Sequence, residues 1–149
     1  MSKFKSSMSI ISVLAMVFSS ILVASAQSDA EDDSLAEIYF ELAEIGRSLN
    51  GVDQDDLDNY LQACERDHAL ACRTAGYYLI SGKQVQRDAQ RGVSLYHKSC
   101  DLGDINGCLA ASAVHRKGDG VPKDQSKAAA AEAKACELAK NTDQERMFC

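Results

Sequence analysis

Tryptophan is absent from this 149-residue chain, proline occurs once, at Pro122, and aromatic residues make up only 6%. A core built around large rings is therefore excluded, as is a proline-rich extended linker. Basic residues are also in deficit: 16 Lys and Arg face 22 Asp and Glu, a formal net charge of −6. That argues against nucleic acid or an anionic membrane as partner, because either calls for a basic stripe. Long apolar runs are lacking too. The apolar stretch from Ile10 to Ala24 falls short of the roughly 20 residues that a membrane-spanning helix needs. It follows Lys3 and Lys5 and precedes Ala24-Ser25-Ala26, the pattern of a secretory signal cleaved after Ala26. The next residue is Gln27 rather than Cys, which speaks against a lipid anchor. The expectation is an exported protein, periplasmic or extracellular, with no stable membrane insertion after cleavage. Loss of Lys3 and Lys5 makes the remainder still more acidic.

What the chain does have is six cysteines on a regular grid. Cys64, Cys100 and Cys136 are spaced 36 residues apart, and Cys72 and Cys108 each follow the first of a pair by eight. A fixed period of this length marks a stacked helical repeat. On one continuous helix, residues eight apart would be separated by about 12 Å, whereas a disulfide needs Cα atoms within roughly 4.4–6.8 Å. Paired cysteines therefore require a turn between them, and each pair would clip one helix to the next. Export permits such disulfides. Zinc sites favour closer cysteine spacing with histidines nearby, and the Cys-x-x-Cys of redox motifs is missing. The register motivates Cys64–Cys72 and Cys100–Cys108. Cys136 opens a third clip, but position 144 is Gln, so its partner is Cys149.

Along the chain, residues 27–34 read as a disordered acidic lead-in and 35–149 as one repeat domain. Leu35, Ile38, Tyr39, Leu42 and Ile45 recur at helical spacing, and Gly46 or Asn50-Gly51 ends that helix. The first full repeat spans 62–97 and the second 98–133, pairing Gly82 with Gly118, Val85 with Val121 and Asp88 with Asp124. The glycines suit left-handed helix ends, the valines tuck the loop inward, and the aspartates cap the following helix. Gly46 and Tyr60 lie 36 before Gly82 and Tyr96, so 35–63 reads as a degenerate first repeat. The fold class is all-α, an α/α solenoid of about three helix-turn-helix units clipped by disulfides within the repeats.

The run Cys-x7-Cys, then Gly-x-x-Val-x-x-Asp-x-x-(Arg/Lys), resembles the Sel-one-like repeat, a relative of the tetratricopeptide repeat. Gly118-Asp119-Gly120-Val121-Pro122-Lys123-Asp124-Gln125-Ser126-Lys127-Ala128 matches its loop and second helix. Lys98-Ser99-Cys100-Asp101-Leu102-Gly103-Asp104 with Cys108 is similar to its cysteine-rich branch, the exported Helicobacter cysteine-rich proteins. That resemblance brings an alternative function, since members of the branch are described as penicillin-binding or as β-lactamases. The serine motifs of such enzymes are not found here: Ser-x-x-Lys occurs only at Ser2–Lys5, inside the signal.

No catalytic residue, metal ligand set or cofactor site stands out. His68, His97 and His115 do not share a helical face at i, i+4. The acidic run Asp53, Asp55, Asp56, Asp58 lacks the pattern of a calcium loop and reads as a solvated helix start. A helix-pair solenoid presents a face built from the first helix of each pair. With Ala71, Ala75 and Leu79 turned inward, the candidates for that face are Arg73, Tyr77 and Ile80, with Leu109, Ala113 and Arg116 as their equivalents. The function expected is a binding module for another protein or a peptide.

Overall fold

The computed structural model describes residues 31–140, 142 and 149. The chain divides into two compact units, Met1–Ser34 and Leu35–Cys149. The expected signal and residues 27–30 lie outside the described residues. Residues 31–34, expected to be disordered, are helical instead. None of Glu31, Asp32, Asp33 and Ser34 is a helix breaker, so the backbone ladder runs through them.

Among the described residues there are six helices and no strand. Helix α1 covers 31–50. It is followed by α2 (Gln54–Glu65), α3 (Ala69–Ser81), α4 (Ala89–Asp101), α5 (Ile105–Lys117) and α6 (Gln125–Ala139). From α2 onward each packs on its neighbour in the chain, and α3 also meets α5 while α4 meets α6, the stacking of a solenoid; α1 meets α2 through the Tyr60–Glu44 hydrogen bond. Gly46 stays within α1 rather than ending it. The helix stops at Gly51, whose φ of +83° is open to glycine without steric cost.

The helix ends follow the sequence. Asp88 and Asp124 accept the backbone N–H of Arg91 and Lys127, both at 3.0 Å, and Gly82 and Gly118 end α3 and α5 in the left-handed region. Val85 and Val121 are buried. The cap of α3 is less obvious. It is His68, whose Nδ1 accepts the N–H of Ala71 at 3.1 Å.

Three disulfides join Cys64–Cys72, Cys100–Cys108 and Cys136–Cys149, with Cα separations of 4.6, 4.5 and 5.0 Å. The first two clip the end of α2 to the first turn of α3 and the end of α4 to the first turn of α5, and all four cysteines are buried. Alanine lets the helices approach closely: Ala43, Ala63, Ala71, Ala75, Ala111 and Ala135 have no exposed surface. Helices α3 and α4 cross closely at Gly76 and Gly92. A Cβ added at Gly92 would meet the Gly76 carbonyl oxygen at 2.9 Å.

Candidate partner-binding face

Position on the 36-residue grid decides which side chains of α3 and α5 are free. Ala71, Ala75 and Leu79 face the core as expected. Ile80, expected on the open face, is only 8% exposed and belongs to the core cluster that holds Val93 and Tyr96. The repeat shows why. Glu44, Ile80 and Arg116 are equivalent positions, and so are Tyr60, Tyr96 and Glu132. In the first unit the Tyr60 hydroxyl donates to Glu44 at 2.6 Å. In the second, Ile80 and Tyr96 share an apolar cluster. In the third, Arg116 forms an ion pair with Glu132. One contact between the two helices of a unit is thus made by three different chemistries. It fixes the fold and leaves neither Ile80 nor Arg116 unengaged. Burial, and then the bond to Glu44, raise the Tyr60 hydroxyl above its ordinary pKa, so it remains a donor.

Arg73 is also engaged. Its Nε donates to Asp104 at 2.7 Å, and Asp104 caps α5 by accepting the N–H of Asn106. One repeat earlier, Glu37 meets the cap residue His68 at 3.2 Å. These pairs tie each first helix to the start of the next. Leu109, at the third such position, is half-buried against the Cys100–Cys108 cluster. Ala113 is exposed but offers only a methyl group.

That leaves Tyr77. It is 45% exposed and is the one exposed aromatic residue among the described residues. Its ring stands edge-on to Tyr78 at 5.2 Å between centroids, and its hydroxyl accepts a hydrogen bond from Lys83 Nζ at 3.2 Å. Leu70, two turns earlier on α3, is 39% exposed. Sequence reasoning missed it because it sits beside the buried Ala71. Together Leu70, Tyr77 and Lys83 make an apolar strip with a cationic end, and Arg73 lies between them, half-exposed.

A second feature has no sequence signal. His97 and His115, which are 18 residues apart, bring their Nε2 atoms to 2.9 Å. His115 is buried and its Nδ1 has no hydrogen-bond partner. The contact joins one donor and one acceptor, so only one of the two rings holds the proton between the Nε2 atoms. The pair opens on a cleft of about 700 Å³ with Asp101, Asp124, Lys123 and Lys127 in its lining. No group of three potential metal ligands occurs among the described residues.

Desolvation first, then His115, Lys127 and Lys134, push the His97 pKa down, with Asp101 opposing them. The unfolded chain titrates this imidazole near its usual value of about 6.5. Below that pH the unfolded state binds more protons than the fold, so stability rises with pH through this range and falls on acidification. The expected outcome is a lower urea midpoint at pH 5 than at pH 7.5, with a smaller drop in His97→Gln. Equal drops in both proteins would contradict it.

The family model for the Sel1 repeat matches residues 69–104 and 107–130. These two stretches are Sel1 repeats. Among solved structures, the Sel1 fold is similar to cysteine-rich protein B of Helicobacter pylori, at 26% identity and a TM-score of 0.60, covering 86% of this chain and 94% of that one. It is also similar to a Sel1 repeat protein from Oxalobacter formigenes, at 22% identity and a TM-score of 0.62, covering 74% of this chain and 46% of that one. Among curated proteins, cytochrome c oxidase assembly factor 7A of Xenopus laevis is 33% identical over 84 residues, 56% of this chain and 36% of the relative. Its counterpart assembly factor 7 in Xenopus tropicalis is 33% identical over 82 residues, 54% of this chain and 36% of the relative. The chain thus matches about a third of the length of those curated relatives.

Proposed function

We propose that this chain is an exported, disulfide-clipped adaptor that captures another protein or a peptide on α3, with Tyr77 as the central anchor. The observation that carries this is the exposure of Tyr77 beside Leu70. Most other large apolar side chains between α2 and α6 are used by the fold, and these two are not. Tyrosine is a favoured interface anchor because it offers a large rigid surface with a polar tip. Oxidised Cys64–Cys72 and Cys100–Cys108 suit an oxidising compartment outside the cytosol, which supports export. The Xenopus relatives are named as assembly factors, and assembly is work on protein partners. Nothing in the site or the comparisons favours the β-lactam alternative.

A photo-crosslinking phenylalanine analogue tests this when placed at position 77 in producing cells. It is expected to give a discrete protein adduct that is absent when the same group replaces Arg91 on α4. Adducts from position 91 and none from position 77 would place the partner elsewhere.

A further inference from the structure

Leu35, Ile38, Leu42, Ile45 and Leu49 are between 43% and 73% exposed, all on α1, and they make up five of the seven exposed large hydrophobic residues. Their spacing alternates three and four. This is the narrow seam of a coiled coil rather than the broad stripe of a helix lying on a core. The core-facing side of α1 is a separate one and buries Ala36 and Ala43.

The repeat register says what such a face receives. Leu35, Leu42 and Leu49 are equivalent to Ala71, Tyr78 and Val85 of the next unit. Those residues pack into the core cluster that holds Leu57, Tyr60 and Leu61 of the preceding helix, α2. One unit further on, Gly107, Val114 and Val121 are buried, and Val114 and Val121 share a cluster with Val93 and Tyr96 of α4. In both units the face is covered by an apolar helix. On α1 the same face is left uncovered among the described residues.

We propose that a second copy of this chain covers the seam, with α1 packed on α1 across a two-fold axis. Among the described residues, α1 itself carries five of the seven exposed large hydrophobic residues, against two on α3, so two copies satisfy each other in an isologous contact. The exposed parts of five Leu and Ile side chains from each copy amount to about 1,000 Å² in total, at the lower edge of what a specific interface buries. The dimer is accordingly weak and reversible.

Sedimentation equilibrium of the protein as recovered from expressing cells tests this, with its intact mass recording whether residues 1–26 are present. The average mass is expected to climb from that of one chain towards two between about 1 and 100 μM, the range of weak association. Leu49→Glu, at the most exposed position of the seam, should weaken the dimer at least tenfold while leaving the helical circular dichroism unchanged. Ile38→Glu should do the same. A single-chain mass at every concentration would overturn the proposal and leave the seam to another occupant, such as the apolar stretch Ile10 to Ala24 of an uncleaved chain. A dimer that tolerates both substitutions would overturn it as well.

Discussion

Replacing Cys72 with serine is expected to lower the unfolding free energy by about 2–4 kcal/mol, the usual cost of losing a native disulfide. Two effects act in the same direction. The bond closes a short loop between the end of α2 and the first turn of α3, so its loss frees the unfolded chain. Both sulfurs are also fully or nearly fully buried, and the substitution leaves a hydroxyl in that site. The core offers little to offset either effect, because much of it is alanine. In urea the midpoint should fall by on the order of 1–3 M. Cys149→Ser should cost less, since Cys149 is exposed and its bond fixes a terminal segment. Matching midpoints for Cys72→Ser and the parent protein would show that the clip is dispensable.

The second large effect is expected at Gly92. Alanine is the better helix former by about 1 kcal/mol, so propensity alone predicts stabilisation. Packing predicts the reverse. The new Cβ would lie 2.6 Å from Ile80 Cγ1 and 2.9 Å from the Gly76 carbonyl oxygen, and the latter is backbone that cannot rotate away. Parting α3 from α4 disturbs their close crossing, and overpacking of this kind costs about 1–3 kcal/mol. The net expectation for Gly92→Ala is a loss of up to about 2 kcal/mol. Ser94→Ala, on the exposed side of the same helix, should be neutral or slightly stabilising. A more stable Gly92→Ala protein would mean that the two helices are not held as close as described.

Much of the architecture was legible because the 36-residue grid repeats the residues that perform local jobs. Aspartate caps, left-handed glycines, loop valines and paired cysteines act within a few residues of themselves, and their spacing survives in the sequence. The binding face was harder to read. Helical spacing puts Arg73, Tyr77 and Ile80 on one stripe, but it does not say where that stripe meets the second helix of its own unit. Ile80 lies past that boundary. The contact it makes was hidden because the equivalent positions carry Glu44 and Arg116, whose chemistry shares nothing with isoleucine. Arg73 reads as a free cation until Asp104, 31 residues on, is folded against it. The His97–His115 contact depends on how α4 meets α5, which no local spacing encodes. His68 gave no hint of capping, because histidine is not among the residues that favour that position.

The most direct test of the adaptor reading is an affinity measured by calorimetry between the crosslinked partner, once purified, and three proteins: the parent, Tyr77→Ala and Arg91→Ala. If Tyr77 is the anchor, its truncation weakens binding at least tenfold, in keeping with a loss of about 2 kcal/mol at an interface hot spot. Arg91→Ala then binds as the parent does, and the circular dichroism of all three is the same. Unchanged affinity in Tyr77→Ala would contradict the account and move the binding surface off α3.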